Sequence, residues 1–468
     1  MKVRVLICGI AYCALEPQLS LAGDAFWQPK CAPLQSRWAA EVNPNHSRPE
    51  YPRPQMVRAE WSNLNGLWDY AITEDATVPS KWDGRILVPF PVESALSGVM
   101  RELKPTERIW YRRKFAVPPT WAGMRVLMHF DAVNWEAGVL LNGRKIGTHL
   151  GGYDGFTIDI TESLDPTGDD TLEVVAANPA DAGMQARGKQ TRSPTRTWYG
   201  IASGIWQTVW LEPVAPTSIS QLYLIPDIDA SELHVTAQIL GRGKETNQVV
   251  EGVAFDNGKE ISRASGPAGQ PFDLPINRPK LWSPDSPFLY NLTLTLRDNG
   301  KQVDQVSSYF GMRKISVAND SNGIPRILLN NEPLFQFGIL DQGYWPEGIY
   351  TAPTDEALRF DIEMMKKLGF NTCRKHVKVE PERWYCWCDK LGLLVWQDMP
   401  NGAVGDGRLD RSKSDESAQQ FEHELKAMVE GRINHPSIVM WMAFNQGWGQ
   451  YDTARLTDLI KSLDATRL

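Results

Sequence analysis

The stretch Asn434-His435-Pro436-Ser437-Ile438-Val439-Met440-Trp441-Met442-Ala443-Phe444-Asn445-Gln446-Gly447-Trp448-Gly449-Gln450 decides the fold. It opens on a helix-stopping Asn-His-Pro, runs through an unbroken apolar block from Ile438 to Phe444, and closes on polar residues beside Trp and Gly. Apolar residues without alternation mark a strand covered on both faces. Helix-like segments flank it at 416–432 and 453–463, which makes the block a parallel strand of a β/α unit. In barrel enzymes, polar residues just past such a strand stand on the face that carries the chemistry. Asn445 and Gln446 also suit the start of a plain turn, and at this level both readings stay open.

The same alternation repeats upstream. An apolar segment at 334–340 ends at Asp341, and Thr354 then caps a helix whose Leu358, Ile362, Met365 and Leu368 recur at helical spacing. Asp355 and Glu356 in its first turn, Lys366 and Lys367 in its last and Gly369 just beyond agree with the helix dipole and a C-terminal stop. A second strand at 371–377 leads into a helix at 381–391, and a third at 393–397 ends at Asp398. Four strand–helix units predict the first half of a (β/α)₈ TIM barrel over 317–468. The segment from 319 to 468 is well short of the ~250 residues of a complete barrel. The expectation is therefore a sheet with two open edges, belonging to a longer gene product or completed by another copy, so that an oligomer is one way to cover the gap.

The preceding residues read as β. Val139-Leu140-Leu141 and Arg144-Lys145-Ile146 flank Asn142-Gly143, a dipeptide suited to a two-residue hairpin turn. Many short strands at turn-marked spacing over 58–215 predict a jelly-roll β-sandwich. A second β module at 216–316, with turns at Asp256-Asn257-Gly258 and Asp298-Asn299-Gly300, has the size of an immunoglobulin-like β-sandwich. Pro-rich residues 24–57 form an extended leader. Residues 1–23, with Lys2 and Arg4 ahead of an apolar core and Ser20-Leu21-Ala22 at its end, read as a signal peptide, hence a secreted or periplasmic protein.

A net charge of −7 leaves no footprint for nucleic acid, and no later segment has the length to span a membrane. Cys386 and Cys388, spaced Cys-x-Cys without a second pair, fit buried thiols better than a metal site, so neither metal nor cofactor is called for.

Three features together resemble glycoside hydrolase family 2, the β-galactosidases, β-glucuronidases and β-mannosidases. They are the order of modules, the segments Asp131–Trp135 and Gly204–Leu211 in the first sandwich, and the strand ends of the barrel. The resemblance implies hydrolysis of β-linked O-glycosides with retention, a carbohydrate partner and no cofactor. In the family the fourth barrel strand ends in Asn-Glu, the Asn holding the sugar's 2-hydroxyl and the Glu acting as general acid/base. Asn445 matches, Trp448 stands as the aromatic close behind, and Gln446 occupies the position of the Glu. The resemblance places the nucleophile on a seventh strand, which this chain does not contain. It also implies substrate-binding roles for Arg374 and His376 at the end of strand two, for Asp398 in Trp396-Gln397-Asp398, and for Asp341 at the end of strand one.

Each of these has a plainer reading as well. Arg374 is equally a rim ion-pair partner of Asp398, His376 a hydrogen-bonded rim residue and Asp341 a turn residue. The loop from Asn178 to Trp198 carries Arg187, Lys189, Arg192 and Arg196, and reads first as a solvated basic loop. With Gln446 at the acid/base position, the chain is expected to show little turnover; the alternative is a carbohydrate-binding pseudoenzyme.

Overall fold

The computed structural model describes residues 27–241, 247–402 and 414–468, and the expected signal peptide lies outside them. Two antiparallel sheets build the first module. One has six strands in the order Gly84–Val88, Gly66–Thr73, Arg108–Phe115, Asp170–Ala177, Glu136–Leu141, Arg144–Leu150; the other joins Ser62–Asn63, Val209–Val214, Arg125–Phe130 and Phe156–Asp159. The hairpin turns at Asn142 and Gly143 with φ of +53° and +75°, both in the left-handed region that Asn and Gly tolerate. The second module packs a three-stranded sheet (Ser218–Asp227, Glu232–Leu240, Phe272–Pro275) on a four-stranded one (Lys259–Pro267, Gln248–Asp256, Tyr290–Asp298, Lys301–Phe310). Inward residues such as Leu233, Val235 and Leu294 are fully buried while their neighbours alternate outward, the period-2 signature of a half-buried sheet.

A parallel sheet of four strands follows: β1 (Gly338–Asp341), β2 (Thr372–Lys375), β3 (Leu394–Asp398) and β4 (Ile438–Met442), in that order. Helices α1 (Asp355–Lys367), α2 (Glu382–Leu391), α3 (Asp415–Arg432) and α4 (Thr453–Leu463) accompany them. The Thr354 hydroxyl accepts from Ala357 N at 3.2 Å, the cap expected from the sequence. Leu358, Ile362 and Met365 are buried, each contributing ~1.5–3 kcal/mol by leaving water. Two expectations fail here. Leu368 closes α1 as an exposed cap residue rather than a core one, and 334–337 stays outside β1, with Phe335 and Phe337 exposed at the open edge.

The expectation of a strand covered on both faces holds only for one. Across the sheet Asp341, Lys375, Gln397 and Trp441 align on the face under the helices, and Leu340, Arg374, Trp396 and Met440 align on the other. The helix side is buried. On the inner side Leu340 is 50% exposed and Arg374, Trp396 and Met440 are half-buried, because four strands form an open sheet and no barrel wall faces them within the described residues.

The opening Asn-His-Pro does more than stop a helix. Asn434 Oδ1 accepts from Leu224 N at 2.8 Å and its Nδ2 donates to Leu222 O at 2.8 Å, so the strand entrance is bonded into the second sandwich. His435 Nδ1 lies 2.6 Å from Asp389 Oδ2, which also accepts from Tyr309 Oη at 2.7 Å. Buried Arg313 donates to Pro436 O and Ile438 O at 3.1 and 2.9 Å. The leader is equally engaged. Trp38 is buried edge-on to Trp345, and Arg53 pairs with Glu212 at 2.8 Å.

Candidate active site

The polar ends of β2, β3 and β4 meet on the inner face. Arg374 donates from Nε to Asp398 Oδ1 at 2.9 Å and from Nη2 to Asp398 Oδ2 at 2.8 Å, a fork matched to a carboxylate. The same Nη2 reaches Asn445 Oδ1 at 3.0 Å. This assigns the amide, since Oδ1 faces a pure donor; among the described residues Nδ2 makes no hydrogen bond. The Asp398 side chain is fully buried, and burial pushes its carboxyl up to about 6 against the pull of the Arg374 fork and the Val377 N–H. Val377, β-branched yet at φ +48°, turns the chain sharply after β2 and donates its N–H to Asp398 Oδ2 at 3.3 Å. Such a conformation costs on the order of 1–3 kcal/mol and persists only where its surroundings enforce it.

His376 joins the cluster through its ring. Gln342 Nε2 donates to His376 Nδ1 at 3.0 Å, which leaves the proton of the neutral ring on Nε2. Burial holds its pKa down to about 4, aided by the charges of Arg374 and Lys189, so the ring is neutral at ordinary pH. Gln342 Oε1 in turn accepts from Tyr199 Oη of the first sandwich at 2.7 Å. Hydrogen bonds thus link the sandwich loop through Gln342 to His376, which lies beside the bonded cluster of Asn445, Arg374 and Asp398.

The structure brings Arg374, His376, Asp398 and Asn445 together and sets Asp341 apart. Asp341 points to the helix side, where its Oδ2 accepts from fully buried Lys375 at 2.7 Å, because Arg374 and Lys375 are consecutive in a strand and must face opposite ways. Gln446 is exposed at φ +54° and begins a turn that runs to Gly449, as the turn reading of this stretch expected. Trp448 is buried edge-on to Trp198, ring centroids 5.1 Å apart. The loop from Asn178 to Trp198 is not simply solvated: Arg187 is buried beside these two rings, and Arg192 pairs with Glu102 at 3.0 Å. Sequence reasoning missed Gln342 and Tyr199, whose roles depend on a contact between modules that no local pattern announces.

A separate hollow lies away from these strand ends. A cavity of about 230 Å³ between the first sandwich and α3 is lined by Asp131, Glu382, Glu424 and Arg432 among others. Its carboxylates have internal duties, Glu382 pairing with Arg432 at 2.8 Å and Asp131 accepting from Trp210 Nε1 at 2.9 Å. The strand-end cluster is instead an open surface because the sheet is open.

Comparison with known proteins places this geometry. Residues 100–206 match the model of the glycosyl hydrolase 2 galactose-binding domain-like module, 217–313 that of glycosyl hydrolases family 2, and 327–468 that of the family 2 TIM barrel domain. A β-galactosidase of Thermoanaerobacter pseudethanolicus is 27% identical over 76% of this chain and 47% of its own length. A β-glucuronidase of Bacteroides fragilis is 26% identical over 72% of this chain and 49% of its own length. The chain therefore spans about half the length of these curated relatives. Among solved structures, the β-D-glucuronidase of Dictyoglomus thermophilum superposes with a TM-score of 0.73 at 18% identity, covering 89% of this chain and 73% of that one. The β-glucuronidase of Bacteroides uniformis gives 0.69 at 22% identity, over 87% of this chain and 52% of its own, a likeness of fold. With its two sandwiches and its barrel segment each matching in the expected order, the chain belongs to family 2 of the glycosyl hydrolases.

Proposed function

We propose that this chain is the sugar-recognising part of a β-glycosidase and that it holds a β-linked hexoside against Arg374, Asp398 and Asn445. The carrying observation is the convergence of these three side chains at the C-terminal ends of parallel strands, where the Asn445 Nδ2 donor has no partner among the described residues. A ring hydroxyl could accept from Asn445 Nδ2 beside the half-buried Arg374, whose orientation the buried Asp398 carboxylate fixes. The names of the relatives, β-glucuronidase and β-galactosidase, support a β-hexoside as the substrate class. In its complete form the protein would hydrolyse the glycosidic bond with retention, which needs two carboxyl groups about 5 Å apart.

Gln446 favours a second reading, a carbohydrate-binding pseudoenzyme. An amide donates and accepts hydrogen bonds but has no proton to transfer. Losing general acid/base assistance costs ~10²–10⁴ in rate, or about 3–5 kcal/mol of barrier. The test pairs calorimetric titration of methyl β-glycosides into this chain with an assay on nitrophenyl β-glycosides for the longer gene product that carries the seventh strand, both unaltered and as Gln446→Glu. Binding with turnover gained in Gln446→Glu marks the hydrolase. Binding with no turnover in either marks the pseudoenzyme, and no binding of any glycoside defeats both. The first 23 residues support export of the protein, checked by N-terminal sequencing of the mature product.

A further inference from the structure

The loop that the first sandwich sends to the strand ends carries two cations, Arg187 and Lys189, that form no ion pair with any described residue. The Arg187 guanidinium carbon lies 5.1 Å from the Trp198 ring centroid and 6.0 Å from that of Trp448. Lys189 Nζ lies 5.3 and 5.9 Å from the same two rings. Arg187 is only 6% exposed, yet its buried Nε has no partner, and neither side chain forms a hydrogen bond or ion pair with any described residue. Buried charges are ordinarily paired, since an uncompensated one leaves its desolvation unrepaid. Burial pushes the pKa of both groups down; at Arg187 the charge of Asp181 opposes that push without overcoming it, and at Lys189 nothing opposes it.

The loop is also held in place. Gly188, between the two cations, has φ +59°, and a Cβ there would come within 2.6 Å of both Tyr153 Oη and Val377 O. Only glycine permits that approach to the turn after β2. The Gly188 N–H donates to Asn401 O at 3.1 Å, and Tyr199 at the loop's far end donates to Gln342. Lys189 is near enough to His376 to depress its pKa, which sets the pair beside the Asn445 cluster.

We propose that Arg187 and Lys189 bind an anionic substituent of the sugar, a ring carboxylate or a sulfate ester, at the mouth of the Arg374–Asp398–Asn445 site. This rests on the reading of that cluster as a sugar site. An arginine fork beside a lysine suits either group, both presenting two or more coplanar or clustered oxygens. The indole faces that carry the cations also offer a flat apolar surface to the ring's C–H face. A neutral hexoside would leave both cations unpaired, and the site would disfavour it on that account.

The test follows the tryptophan fluorescence of this chain during titration with methyl β-D-glucuronide, methyl β-D-galactoside and its 6-sulfate. At least one anionic glycoside is expected to bind about tenfold or more tightly than the neutral one, with the margin shrinking at about 0.3 M salt. Arg187→Gln and Lys189→Gln should each erase most of that margin. Preference for the glucuronide assigns a carboxylate and preference for the 6-sulfate a sulfate; either sustains the proposal. Should Arg187→Gln fail to fold, half-buried Lys189 and the salt dependence of the unaltered chain decide the matter. Equal binding of all three sugars, or a margin that survives both substitutions, overturns the anion site while leaving the sugar site standing. Binding of none overturns both.

Discussion

The two faces of the barrel sheet draw on alternate residues of the same four strands and serve different ends. On the helix side, Lys375 is fully buried and its Nζ donates to Asp341 Oδ2 at 2.7 Å and Glu380 Oε1 at 2.9 Å. Burial alone would push Lys375 down, but the two carboxylates outweigh it and hold the pKa above the ordinary lysine value. On the inner side, Arg374 is 25% exposed and its fork holds Asp398 next to an amide donor that has no partner among the described residues. One residue of chain separates a cation that secures the fold from one that presents a surface. Strand periodicity enforces that separation, and a functional rim can therefore be varied without disturbing the core beneath it.

The largest effect should come from the buried cation. Lys375→Met strips Asp341 of its counter-charge and leaves Glu380 only Lys378, 3.0 Å away, and a loss of about 3–5 kcal/mol is expected in urea denaturation. A change below about 1 kcal/mol would erase the contrast between the faces. The next effect concerns the joint between strand entrance and second sandwich. Burial lowers the pKa of His435, but Asp389 and Glu382 overcome it and raise the pKa to about 9. Its folded value lies above the unfolded 6.5, so its stabilisation is complete below pH 6.5 and is lost as pH rises through about 9. That difference corresponds to roughly 3 kcal/mol, read as a falling denaturation midpoint in wild type and a flat one in His435→Gln.

The inner face should respond in binding more than in stability. Arg374→Met leaves Asp398, already at about 6, about one unit from neutrality at pH 7. Taking up a proton there costs only ~1–2 kcal/mol of stability, while glycoside affinity should fall on the order of 100-fold by calorimetry. An affinity loss no larger than the stability loss would reassign Arg374 to the fold. The smallest stability change is expected on acidification from pH 6.5 to 4. Asp398 has a raised folded pKa, so its proton binds the folded state more tightly and its term stabilises as pH falls. His376 is held down to about 4, so its term is lost over the same window. The two nearly cancel, and binding should weaken below about pH 6 with almost no shift in midpoint from this pair.

Much of the barrel segment was legible beforehand. Its four strands and four helices follow from apolar runs and capped amphipathic patterns, signals that are local to the chain. The helix at Thr453–Leu463 was placed to the residue. The misses sit where locality ends. Leu368 fits the helical stripe of α1 but falls just past its last turn, where the helix end rather than the period sets exposure. Asp341 shares a strand end with the site residues of its neighbours, yet its side chain turned to the helices, a choice that hinges on strand parity within one residue. Arg187 looks like any basic loop residue until the loop is laid against Trp448.

By itself, the sequence determined the order of modules, the parallel β/α character of the last one, and which residue types stand at the strand ends. These depend on periodicity, caps and turns, which act over a few residues. Tertiary structure alone decided which of those residues share a surface, that Asn434-His435-Pro436 bonds the sandwich to the strand entrance, and that a loop some 200 residues earlier brings its cations to the site. Such contacts join residues far apart in the chain, and they are set by the packing of whole layers against one another, which no local pattern records.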